Sequence, residues 1–117
     1  MKRRVRFVSL IVLASALVAG CSTRSERERI LKQDLQIMRQ AIDNYTVDKQ
    51  QAPQSLQDLV NGHYLKEIPA DPITRKKDWV PQFDIVVLSA GALRTGMVDV
   101  HSASGRVGGN GMAYSEW

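Results

Sequence analysis

The chain has 117 residues, 44% of them hydrophobic and 24% charged, with one cysteine. That bounds it to one domain of ordinary globular composition and excludes an internal disulfide. Lys2, Arg3, Arg4 and Arg6 supply the whole formal net charge of +4; from Cys21 onward 12 basic residues balance 12 acidic ones, which removes the electrostatic footprint of a nucleic-acid partner.

Residues 1–21 read MKRRVRFVSLIVLASALVAGC: a basic cluster, an apolar run from Phe7 to Val18, then small residues. This is the layout of a secretory signal. The run is shorter than the ~20 apolar residues of a spanning helix. Leu17-Val18-Ala19-Gly20-Cys21 resembles the bacterial lipoprotein cleavage box. The resemblance implies removal of residues 1–20, a diacylglyceryl group on the Cys21 sulfur and acylation of the new amino terminus. Several acyl chains, at ~0.8 kcal/mol per buried CH2, make a stable membrane anchor. Ser22 in place of Asp implies outer-membrane rather than inner-membrane sorting in a diderm cell, with the chain facing the periplasm. Two alternatives stand beside this reading: ordinary cleavage after Ala14-Ser15-Ala16, and an uncleaved N-terminal membrane anchor. Residues 21–25 form a polar tether, and residues 26–117 a periplasmic domain large enough to bury a modest core.

From Glu26 to Asp48, apolar residues fall at Leu31, Leu35, Met38, Ile42 and Tyr45. Steps of four and three make one stripe on a long helix. Ile30, Ile37 and Ala41 widen the stripe on one flank, while Arg27, Lys32, Gln33, Arg39, Gln40 and Asp43 take the polar side. Ser25 is the expected cap, with Glu26 and Glu28 favoured in the first turn by the helix dipole. The helix should end before Pro53. Ser55 and Asp58 then form a capping box for a short second helix, whose face of Leu56, Leu59 and Val60 packs on the first. Gly62 suits a left-handed stop. Ile68-Pro69-Ala70-Asp71-Pro72 imposes a stiff extended turn.

Tyr45 and Asp48, then Pro53, Ser55-Leu56, Leu59-Val60, Tyr64-Leu65, Ile68-Pro69 and Asp71-Pro72 form an ordered series. It resembles the type II secretion major pseudopilin family, protein G: a helix ending in Y-x-x-D, a proline, an S-L-x-x-L helix, then Y-L-x-x-x-P-x-D-P. The match covers about residues 27–117. It implies a pilin-like α+β fold and a place in a pseudopilus or type IV pilus-like machine, beside other pseudopilins or secretion-machine subunits. The chain departs from the pilin pattern at its amino terminus. There is no Glu before Glu26 and no long apolar helix after the cleavage position, and Arg27, Arg29 and Lys32 would be costly in a membrane. Packing into a filament through an apolar helix is therefore not implied.

Arg75-Lys76-Lys77-Asp78 reads as a solvated turn before Trp79. Phe83–Ser89 is β-rich and mostly apolar, the pattern of a central or well-covered strand. Met97–His101 alternates, placing Val98 and Val100 on one side and Asp99 on the other. The two strands should form an antiparallel hairpin, with a third near Met112–Ser115 or around Trp79, giving a small sheet of about three strands. The glycine-rich end from Ser102 should be tied down by Tyr114 and Trp117. In the pseudopilin family this region resembles a calcium loop. Asp99, Ser102, Ser104 and Glu116 are the calcium candidates here, but Ser104 stands where the family has Asp, and Tyr114-Ser115 replaces Asp-Ile. Calcium takes six to eight oxygens, usually with several carboxylates, so no metal is assigned and no cofactor is expected.

His63 and His101 are the only histidines. No catalytic triad, paired glutamates at helical spacing, or zinc motif accompanies them. Gly105–Gly111 lacks the Lys-Ser or Lys-Thr of a phosphate loop. The expected function is non-enzymatic: a membrane-tethered structural or accessory component of a type II secretion or pilus-like system. The alternative is a periplasmic lipoprotein binding module that uses the same fold for another partner.

Overall fold

The computed structural model describes residues 23–89 and 91–117. The signal segment and Cys21 lie outside the described residues. Helix α1 spans Arg24–Lys49, helix α2 Leu56–Asn61, strand β1 Val80–Val87 and strand β2 Leu93–His101; a 3-10 turn covers Tyr114–Glu116. The architecture is α+β, with an antiparallel sheet of two strands among the described residues.

With 26 residues, α1 is roughly 39 Å long. Thr23, not Ser25, is its cap: the Thr23 hydroxyl accepts the Glu26 N–H at 3.1 Å, and Ser25 lies inside the first turn. Leu31, Leu35, Met38, Ala41 and Ile42 are buried, as the stripe predicts. Tyr45 is half-buried and meets Tyr64 edge-on, with ring centroids 5.3 Å apart. Ile37 is exposed, contrary to its expected place on the flank. At ~100° per residue it lies roughly 120° round from Leu31, beyond the reach of the core.

Ser55 caps α2 by accepting the Asp58 N–H at 3.3 Å. The Asp58 carboxylate reaches back one residue further than a standard capping box and accepts from Gln54 N–H at 2.9 Å. Gly62 does not take the left-handed conformation; its φ is −86°, and His63 carries the positive φ of 65° instead. The core closes where α1 meets Leu59 and Leu65 from the α2 region, Met97 and Val100 from β2, Trp79, and Tyr114 from the C-terminal loop. Each such fully buried aliphatic side chain contributes about 1.5–3 kcal/mol of burial.

The hairpin differs from expectation in three respects. Around Trp79 the chain extends β1 rather than forming a third strand, and the C-terminal segment offers a single bridge, Val107 to Ala113. Its glycines and serines leave too few adjacent side chains to sustain a ladder. Second, Gln82 pairs with Asp99 but Phe83 pairs with Met97, so Val98 is a bulge. Met97 and Val100 are consequently the buried residues, and Val98 is only half-buried. Third, β1 is not well covered: Phe83, Ile85 and Val87 are exposed. Among the described elements α1 packs on α2 and β2, while β1 packs on β2 alone.

Candidate functional site

The C-terminal loop, Ser102–Trp117, lies along α1 and holds the candidate residues Ser102, Ser104, Tyr114, Glu116 and Trp117. Its backbone closes on itself: Tyr114 N–H donates to Arg106 C=O at 2.9 Å, Ser115 N–H to Ser104 C=O at 2.9 Å, and Gly108 N–H to Met112 C=O at 2.8 Å. Both expected anchors hold it. Tyr114 is buried and meets Trp117 edge-on at 5.1 Å between centroids. Gly108 lies against these rings so closely that a Cβ there would come within 2.5 Å of the Trp117 ring. The Lys32 ammonium sits 5.1 Å from the Trp117 ring centroid, within cation–π range.

Two α1 residues secure this loop: Arg39, which the sequence places on the polar side, and Glu28, which it places in the first turn for the helix dipole. Arg39 donates through Nε to Asp99 Oδ1 at 2.6 Å, and through Nη2 to Val100 C=O at 3.0 Å and the Trp117 main-chain oxygen at 2.7 Å. Glu28 Oε1 accepts from the Tyr114 hydroxyl at 2.7 Å, Gly109 N–H at 2.8 Å and Arg24 Nε at 3.1 Å. The Tyr114 hydroxyl first, then the Gly109 amide, hold the Glu28 carboxyl below the usual carboxylate range, with Arg24 adding to them. The signal for Arg39 is its spacing: it stands four residues after Leu35 and three before Ile42, at the margin of the buried stripe.

Asp71 is a third residue whose role the sequence left unassigned. Its side chain is fully buried and accepts the Ser102 hydroxyl at 2.5 Å and Ile73 N–H at 2.8 Å. It joins the turn between its flanking prolines to the start of the C-terminal loop. Nearby, burial and then the Asp71 charge push the Asp34 carboxyl upward.

The four calcium candidates do not converge. Asp99 is paired with Arg39, and its second oxygen lies 3.5 Å from His101 Nε2. Ser102 is engaged by Asp71. The Ser104 hydroxyl accepts Arg106 N–H at 3.2 Å, while Glu116 is exposed beside Trp117. A guanidinium within hydrogen-bond distance of the principal carboxylate opposes a divalent cation there. The residues present therefore do not fit a calcium ion, and among the described residues no group of three or more His, Cys, Asp or Glu is arranged to hold a metal. His101 lies between Gln82 Oε1, at 2.9 Å, and the Trp117 main-chain oxygen, at 3.2 Å. His63 is exposed on its left-handed turn.

A groove runs between α1 and the loop, lined by Leu35, Arg39, Met112, Glu116 and Trp117 among others. It offers an apolar floor with charged margins and contains no nucleophile–base pair. Comparison with protein-family models, with curated proteins and with solved structures finds no match in any of the three. No described helix is long and apolar enough to cross a membrane.

Proposed function

We propose that this chain is a non-enzymatic structural or accessory component of a type II secretion or type IV pilus-like machine, pilin-like in fold and tethered to the cell envelope by lipid on Cys21. The observation that carries the reading is the ordered residue series resembling the major pseudopilin family. Its members make contacts that a shared framework would need. Tyr45 packs on Tyr64, and the Tyr64 hydroxyl donates to Asp48 at 3.0 Å. Leu59 and Leu65 enter the core beneath α1, and Asp71 receives Ser102. The series thus joins α1, the α2 region and the C-terminal loop into one body. A body of this kind, with its polar side chains spent on holding the loop to α1 and β2, suits scaffolding.

The groove beside Trp117 favours the second reading, a periplasmic binding module on the same fold, because its apolar floor is available to a partner side chain. One experiment separates the two. The native chain is captured from membranes of its own cell and probed for type II secretion and pilus subunits. Recovery of those subunits supports the first reading. Their absence, with the chain intact, overturns it. In parallel, Cys21→Ser should lose lipid labelling and membrane retention; unchanged labelling removes the anchor from the proposal.

A further inference from the structure

The cap at Thr23 brings one end of the molecule close to Cys21. Helix α1 begins at Arg24, and Ser22 alone separates its cap from Cys21 in the sequence. The three residues from Cys21 to Arg24 reach at most about 11 Å. The tip of the C-terminal loop lies at the same end. Arg24 Nη2 donates to Val107 C=O at 2.9 Å, and Gly109 N–H donates to Glu28 at 2.8 Å. Gly108 N–H donates to Met112 C=O, which folds the tip back and leaves Val107 58% and Met112 45% exposed. Around this apolar tip Arg24, Arg29 and Arg106 are exposed and Arg27 is half-buried. Against these four arginines stand Glu26 and Glu28, and Glu28 is already engaged by Tyr114, Gly109 and Arg24. The hairpin turn lies at the opposite end, where the Ser89 hydroxyl donates to Gln50 just past the last turn of α1.

We infer that this end of the molecule, the first turns of α1 with the loop tip at Arg106–Met112, rests on anionic lipid headgroups of the membrane that holds Cys21; this rests on the lipid anchor proposed above. Chain length selects the occupant. A helix with its side chains is about 10–12 Å across, so a tether of at most about 11 Å leaves no layer for another protein between this end and the lipid. Chain length also sets the strength of the field. Arg24 to Arg29 rise only about 7.5 Å along α1, which is inside the Debye length of about 10 Å at 0.1 M salt. The excess of arginine complements an anionic surface and gains nothing from a zwitterionic one. Guanidinium groups pair with lipid phosphate, while Val107 and Met112 enter the boundary between headgroups and acyl chains. The exposed hairpin end, a helix length away, stays clear of the surface.

The test places the full lipidated chain in vesicles of phosphatidylcholine alone and of phosphatidylcholine mixed with phosphatidylglycerol. Amide exchange is followed by residue, and the mass of the recovered chain reports its lipid. The acyl chains hold the protein in both vesicles, so the comparison isolates the headgroups. Amides of residues 105–110 should slow in the anionic vesicles relative to the neutral ones, and high salt should cancel the difference. The double variant Arg29→Glu, Arg106→Glu should lose the difference while keeping its lipid and its membrane retention. Arg94→Glu, exposed on β2 towards the hairpin end, should behave as the unaltered chain. Equal exchange in the two vesicles overturns the inference and leaves the lipid anchor standing. So does a difference that survives high salt or the double variant. A chain recovered without lipid on Cys21 removes the anchor and the docking together. The exchange readout on the unaltered chain stands even if a variant fails to fold.

Discussion

Glu28 shows how one exposed-looking helix position acquires a structural task. Its Oε1 gathers a hydroxyl, a backbone amide and a guanidinium from Tyr114, Gly109 and Arg24. All three favour the charged carboxylate, so its folded pKa lies below the unfolded one. The stability it contributes is present above the unfolded carboxylate pKa and is lost as pH falls through the folded one. Asp34 has the opposite sign. Burial and Asp71 raise its folded pKa, so the penalty it imposes at neutral pH is relieved on acidification. The net acid profile mixes the two, and a single substitution separates them. The stability difference between the wild type and Glu28→Gln, followed by denaturant titration, should be largest at neutral pH and shrink below the carboxylate range. A constant difference at every pH would show that the Glu28 charge is not what holds the loop.

At the scale of elements, the close seat of the Pro53-Gln54 segment on β2 makes a sharper demand than any side chain in the hairpin. A Cβ on Gly96 would stand 2.3 Å from Ala52 Cβ and 3.3 Å from Ala52 Cα, so the segment would have to lift. Gly96→Ala should destabilise the fold by about 1–3 kcal/mol, the usual range for overpacking, measured by thermal melt. It should also speed exchange of the Met97 amide, whose acceptor is Pro53 C=O. A melt within error of the wild type would mean that the segment adapts freely. The contact is invisible in the sequence, since nothing in Leu93–His101 marks Gly96 as the residue beneath Ala52. What was legible had a local cause. The stripe of α1 follows from its 3.6-residue period, and α2 from the Ser55 cap and its Leu56, Leu59, Val60 face. The exposure of β1 was not legible, because an apolar strand reads alike whether or not another element covers it. That depends on α1 choosing β2, which is a matter of tertiary placement. The Val98 bulge, likewise, is a property of the pair of strands and not of either alone. In the loop the anchors Tyr114 and Trp117 were evident as the large residues in a run of small ones. Their partners Glu28 and Arg39 lie 86 and 78 residues away in sequence, beyond any local pattern.

Over the whole molecule, Arg39 is the point where the long helix, the sheet and the chain end are fastened together. One guanidinium serves a carboxylate on β2, the neighbouring β2 carbonyl and the main-chain oxygen of Trp117. They are met from two different nitrogens, Nε and Nη2, which a planar fork provides and a single ammonium does not. The pair is only partly shielded from solvent, and its worth lies in the number of charge-assisted bonds it makes rather than in Coulomb attraction alone. Arg39→Met should cost about 2 kcal/mol, within the range for hydrogen bonds to charged groups, and should increase amide exchange across residues 102–117 more than in α1. Arg39→Lys should recover only part of both effects. Calcium added to the wild type should leave the melt where chelator leaves it, because Asp99 already has its counter-charge. If Arg39→Lys matches the wild type, or if exchange in the loop is unchanged in Arg39→Met, the loop is held by Tyr114 and Trp117 alone. A calcium-dependent rise in melting temperature would instead place a cation where the structure puts the guanidinium. The loop, the groove beside it and the β2 end of the sheet would then have to rearrange together, since Asp99 cannot serve both partners in its present position.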